Sequence, residues 1–180
     1  MANINMVEEM MAEGGSSKEN SLTAVKVYGY ITRFDIDCPE AVVLHCSCCN
    51  LVLRKDLNTG DLVCDNMECR EYSSRRQERS SPSPRYGLRA DLSDETGTIA
   101  GVKISQALME SRIGPPGDFI QLSDSTRTSY KWSVMLKPLK VTLAMVLPTT
   151  DSRAAHCMIV DMTPASLEEI TAKMPSPAVM

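Results

Sequence analysis

Between Thr23 and Phe34 the side chains alternate, with Val25, Val27 and Ile31 on one face and Tyr28 and Tyr30 on the other, which predicts a strand buried on one side. The alternation returns at Tyr86, Leu88, Ala90 and Leu92, breaks at the turn sequence Asp94-Glu95-Thr96-Gly97 and resumes from Ile99 to Ile104, so these two runs read as a hairpin. Ser105 to Ser111 predicts a short helical segment that Gly114-Pro115-Pro116-Gly117 ends. From Tyr130 to Leu147 the pattern sets Tyr130, Trp132, Val134 and Leu136 against Lys131, Ser133, Met135 and Lys137, and predicts one long strand with Pro138 at a bulge or an unpaired edge. On that reading Trp132 belongs to the core. A last strand is expected from Ala154 to Met162, and Thr163 to Ser166 before Leu167-Glu168-Glu169-Ile170 reads as the start of a C-terminal helix.

Two stretches stand apart from this series. Residues 1–22 carry Met pairs, Gly14-Gly15 and Ser16-Ser17 without a long apolar period, and read as a flexible leader outside the domain, with a helical turn at most around Val7 to Ala12. Residues 38–72 hold six of the seven cysteines, and residues 73–85 are rich in Ser, Arg and Pro with no aliphatic side chain. The expected domain is therefore 23–164, with an inserted cysteine unit at 38–72, a Ser/Arg/Pro loop at 73–85, and a helix and tail at 165–180. Strand, insertion, strand, strand, short helix, strand, strand, helix is the order of a mainly β, five-stranded Greek-key barrel of the OB type.

The 180 residues are 43% hydrophobic and 23% charged, which suits one globular domain and not a disordered or fibrous chain. No apolar run approaches the roughly 18 residues of a membrane span, and Glu8, Glu9 and Glu13 stand where a secretory leader would be basic, so neither a membrane nor a secreted protein is expected. A net charge of −4 and a pI of 5.2 offer no long-range attraction for nucleic acid. The basic residues are concentrated at 70–90 and 123–147, so an anionic partner would be engaged locally.

An odd number of cysteines without a secretory leader argues against a disulfide framework and for thiols that bind metal in a reducing compartment. Cys46 and Cys49 are separated by two residues, Cys64 and Cys69 by four, and fourteen residues lie between the pairs. This is the spacing of a zinc ribbon: each close pair points two thiolates at one ion, and a hairpin brings the pairs together. Leu51-Val52-Leu53 and Leu62-Val63 flank the turn sequence Asn58-Thr59-Gly60 and supply that hairpin. The expected ligands of a structural zinc are Cys46, Cys49, Cys64 and Cys69, with Cys48 offering a competing register. Buried thiols used as small apolar side chains are a weaker alternative. A catalytic zinc is weaker still, because it needs an open position and His45 is the one imidazole nearby.

At this point the chain resembles the zinc-ribbon OB fold at the C-terminal end of the large subunit of replication protein A, and its relatives in DNA repair and meiotic recombination. The resemblance runs from about Thr23 to Pro164. It rests on Val25-Lys26-Val27-Tyr28 as first strand, the ribbon within the loop that follows, Tyr86 to Leu92 and Asp94 to Ile104 as the next two strands, Gln106 to Gly114 as the helix, and the strands Trp132 to Met145 and Ala155 to Met162. Relatives include the DNA-binding subunit of shieldin, the meiosis-specific OB protein and the scaffold protein involved in DNA repair; the last is the relative we favour, although no residue decides. The resemblance implies a nuclear, non-enzymatic module of single-stranded DNA binding in repair or recombination, with other proteins of those processes as partners and no small-molecule substrate. His45 and His156 stand far apart with no catalytic motif around either.

Single-strand binding implies aromatic platforms and a basic groove. The candidates are Arg75, Arg76, Arg79 and Arg85 in and beside the loop, Lys131, Lys137 and Lys140 along the expected long strand, and Tyr130 as a platform beside Tyr28, Tyr30, Tyr86 and Trp132. Each has an ordinary reading, as a solvated loop, an exposed strand face or a core aromatic. The rival function is a protein-interaction or scaffolding module on the same fold, favoured by the acidic balance and an aromatic content of only 4%.

Overall fold

The computed structural model describes residues 2–13, 22–69, 82–146 and 156–171. In chain order its first elements are α1 (Ile4–Glu13), β1 (Leu22–Phe34), β2 (Val42–His45), β3 (Arg54–Lys55), β4 (Leu62–Val63), β5 (Ser83–Tyr86), β6 (Arg89–Ser93) and β7 (Thr98–Ile104). They are followed by α2 (Gln106–Ile113), α3 (Pro116–Phe119), α4 (Asp124–Val134), β8 (Leu139–Val146), β9 (His156–Pro164) and α5 (Leu167–Thr171).

β1 belongs to both halves of the barrel. From Leu22 to Gly29 it pairs with β8, and from Tyr30 to Phe34 with β6. The exchange of partner falls at Gly29, where a Cβ would lie 2.5 Å from the Ser93 carbonyl oxygen, so no larger residue fits without moving backbone. The order closes as β1-β6-β7-β9-β8, antiparallel except for the β7–β9 pair at Lys103↔Met158 and Ile104↔Ile159. This is the OB barrel the strand order predicted. Its interior is filled by Val27, Ile31, Phe34, Ala90, Leu92, Val102, Val141, Leu143, Met145 and Ile159, each at most 3% exposed. Leu108 and Met109 of α2 and Phe119 of α3 add to that core.

The structure corrects the sequence reading in three places. The residues from Tyr130 to Val134 are not strand: α4 runs from Asp124 to Val134, with the Ser123 hydroxyl accepting from Thr126 N–H at its start. At helical spacing Tyr130 and Val134 turn toward the core, and Trp132 turns out to solvent at 56% exposure, so it is not a core residue. The alternation was the shadow of a longer period, settled by contact with Phe34, whose ring lies 6.2 Å from that of Tyr130.

The N-terminal residues, expected outside the domain, form α1, with Ile4 and Val7 completely buried in the barrel core. The Ile4 N–H donates to Asp94 Oδ2 at 2.8 Å, so a turn carboxylate distant in sequence caps this helix. Such a short helix is marginal alone and is held here by the apolar face it buries.

Finally, Tyr86 lies in β5, paired with Val42 of β2, and the barrel strand begins only at Arg89. Ser83 to Tyr86 and β2 thus form a two-stranded stalk where loop was expected. Among the described residues the C-terminal helix runs from Leu167 to Thr171, and Ser166 and Glu169 bond each other's backbone N–H as a capping box.

Candidate metal centre and nucleic-acid interface

The first cysteine knuckle leaves the end of β2. Cys46 N–H donates to the Leu51 carbonyl at 2.8 Å and Asn50 N–H to the Cys46 carbonyl at 2.9 Å, a turn tight enough that Asn50 takes φ 62°. His45 Nδ1–H donates to the Asn50 carbonyl at 2.8 Å and fastens the same turn from outside. Beyond it β3 and β4 form the expected hairpin, whose tip is ordered by Asp56 Oδ1 accepting from Asn58 N–H at 2.7 Å and by Gly60 at φ 78°. The chain then delivers Cys64 and Cys69.

The sulfurs of Cys46, Cys49, Cys64 and Cys69 all lie within 4.8 Å of one another. Cys46 and Cys69 are 3.6 Å apart and Cys49 and Cys64 3.3 Å. A metal–sulfur bond of about 2.3 Å in a tetrahedron gives edges of about 3.8 Å, so the group has the size of one coordination shell. The Leu51 backbone N–H lowers the Cys49 thiol to about 6, while burial and then the Cys46 sulfur push that of Cys69 up. One thiolate forms readily and further charge is opposed unless a cation joins it. These four cysteines could hold a metal ion. Cys48, which is exposed, and Cys38 and Cys157, which are half-buried, lie outside the group.

The nucleic-acid candidates that the structure describes lie on different elements. Arg75, Arg76 and Arg79 lie outside the described residues. Arg85 is exposed on β5, across from Val43. Lys131, Lys137 and Lys140 were expected along one strand face, but Lys131 is on α4 with its Nζ 2.9 Å from both carboxylate oxygens of Asp37, Lys137 is in the turn after that helix, and Lys140 alone is in β8. The Lys131 hydrogen bond holds the Asp37 carboxyl below its usual range. Tyr130 packs against the core rather than offering a platform, and burial raises its phenol. Tyr86 is equally committed: its hydroxyl donates to the Gly114 carbonyl at 2.8 Å and its ring meets Phe119 edge-on at 5.5 Å.

Sequence reasoning missed a groove of about 400 Å³ between β7 and β9, lined by Arg89, Gly101, Lys103, His156, Met158 and Met11 of α1 among others. Among the described residues β7 and β9 pair at Lys103↔Met158 and Ile104↔Ile159, and the groove lies beside that pair. Arg89 and Lys103 are cross-strand partners on the outer face, and no carboxylate lines the groove among the described residues. The alternation placing Leu88, Ala90 and Leu92 inward also put Arg89 outward, and that was the available signal.

No protein-family model matches the chain. It is 27% identical over 157 residues to Protein hold'em of Drosophila melanogaster, covering 86% of this chain and 31% of that protein. It is 26% identical over 154 residues to the meiosis-specific with OB domain-containing protein of Rattus norvegicus, covering 82% and 30%. The chain thus spans about a third of the length of these curated relatives. The rat relative lies in the meiotic branch named above rather than that of the scaffold protein. Among solved structures, a replication protein A heterotrimer bound to single-stranded DNA superposes with a TM-score of 0.60 at 16% identity, over 95% of this chain and 37% of the matched chain. The chain has an OB fold similar to that of replication protein A, and its sequence is similar to the meiosis-specific OB-domain proteins.

Proposed function

We propose that this chain is a single-stranded DNA-binding module of DNA repair or homologous recombination in the nucleus, with its ribbon held by a structural zinc. The observation that carries the DNA reading is the groove over β6, β7 and β9, which presents Arg89 and Lys103 without an opposing carboxylate among the described residues, on the face that OB folds use for oligonucleotides. The zinc reading rests on four sulfurs at tetrahedral spacing with no oxygen or nitrogen ligand among them. A bound zinc would join the knuckles and leave no open position for catalysis.

The test is a salt titration of zinc-loaded protein against labelled single-stranded and duplex oligonucleotides. Wild type should prefer the single strand, and Arg89→Gln with Lys103→Gln should flatten the slope of log affinity against log salt by about 1.4, at about 0.7 per contact. An unchanged slope would remove the groove from the path.

A second reading, a docking module for another protein, is favoured by the ribbon, where Leu51, Val52 and Leu62 are 52%, 50% and 44% exposed. Wild type that binds no single strand at low salt would turn the assignment to it.

A further inference from the structure

Resting on the DNA reading above, we infer that the outer face of β1 and β8 carries a further length of the same single strand, with Tyr28 and Tyr30 as base-stacking platforms and Lys26 and Lys140 on its phosphates. Val27 and Ile31 are at most 1% exposed, so alternation along β1 turns Lys26, Tyr28 and Tyr30 outward. The register sets Tyr28 beside Lys140 and Lys26 beside Thr142, and Lys140 Nζ stands 6.0 Å from the centre of the Tyr28 ring.

These two tyrosines differ from the others. Tyr86 and Tyr130 have aromatic partners, whereas Tyr28 and Tyr30 are half-buried, pair with no other ring and have no hydroxyl hydrogen bond among the described residues. Their lysines differ likewise: Lys131 is clamped by Asp37, while Lys26 and Lys140 have no carboxylate within salt-bridge reach among the described residues. Rings without a ring partner beside ammonium groups without a carboxylate partner, with Lys140 standing over the Tyr28 ring, suit a polymer of flat bases on a charged backbone. An acidic peptide would engage the lysines but have no use for the rings. Two residues of strand separate the rings by about 6.7 Å, roughly twice the stacked-base step of 3.4 Å, so they suit an extended strand and not a duplex.

The face is continuous with the groove. Tyr30 pairs with Ser93 of β6, and the Ser93 hydroxyl bonds Thr32 at 2.9 Å and Thr98 of β7 at 2.8 Å, a neutral polar row leading from β1 to the strand that lines the groove. Asp161, opposite Thr142, bounds the cationic face on its far side.

The experiment measures anisotropy of labelled oligothymidylates of graded length with the full zinc-loaded chain, each variant first checked by thermal melting. Tyr28→Leu with Tyr30→Leu should weaken binding of long oligomers by about 5- to 150-fold per lost ring, and Tyr28→Phe with Tyr30→Phe should recover most of that loss. Lys26→Gln with Lys140→Gln, which leaves the barrel wall intact, should flatten the salt slope by about 1.4 on long oligomers and not on those short enough to fill the groove alone. Long-oligomer binding unaffected by the leucine and glutamine pairs, but weakened by Arg89→Gln with Lys103→Gln, would overturn this inference and leave the groove reading standing. No single-strand binding by wild type would overturn both.

Discussion

Replacing Ile4 by Ala should destabilise the whole barrel although the residue lies at the edge of the sequence. Ile4 has no exposed surface, and its removal takes three carbons from the core at roughly 0.8 kcal/mol each, before any cavity cost. Buried Ile→Ala changes span about 2–5 kcal/mol. Because α1 covers the barrel from outside and can settle inward, the lower half of that range is expected. In urea, with a slope of about 1–3 kcal/mol per molar, the midpoint should fall by about 1 M. Asp94→Asn should weaken the same junction by about 1 kcal/mol, since the carboxylate accepts the Ile4 N–H and also orders the turn at Thr96 and Gly97. Met6→Ala, at a side chain 47% exposed, should change the midpoint little. If Ile4→Ala moves it no more than Met6→Ala, α1 does not dock and its burial has no energetic content.

Two further outcomes follow from the ribbon and from the link between α4 and β1. Elemental analysis should find one zinc per chain; Cys64→Ser should abolish it and melt the ribbon, whereas Cys157→Ser, outside the sulfur group, should leave zinc content unchanged. The Asp37–Lys131 pair should give a small acid-side dependence. Because the folded carboxyl titrates below its unfolded value, its stabilisation is present above roughly pH 4 and is lost as pH falls through the folded value. With Asp37 45% exposed, Asp37→Asn should remove about 0.2–1 kcal/mol of that dependence in urea melts at pH 7 and pH 3, and identical curves would show the pair to be energetically silent.

Features encoded by neighbours in sequence were legible. The knuckle spacing contains the four-sulfur cluster because two cysteines a few residues apart have few ways to turn, and β1 reads correctly because one face is buried. Residues 130–134 defeated the same reasoning, since Tyr130, Trp132 and Val134 fit a period of two as a strand, whereas in the helix Tyr130 and Val134 turn inward and Trp132 outward. Contact with Phe34 and Asp37 made the choice, and neither is local. α1 carries Ile4, Val7 and Met11 at helical spacing, but its partner is the turn at Asp94, which no local pattern connects to it. The groove lies between β7 and β9, a property of two strands together that neither sequence segment announces.

The division of β1 between two partners also fixes an order of events during synthesis. Cys46 to Cys69 form a short loop that can gather a metal ion soon after leaving the ribosome. β1 can meet β6 next, while its first half, from Leu22 to Gly29, stays open until Leu139 to Val146 have emerged. From the emergence of Leu22 until that of Val146 the nascent chain therefore carries an unpaired hydrophobic strand edge, anchored beside a finished ribbon, and that edge is where a chaperone or a misfolded neighbour would attach first.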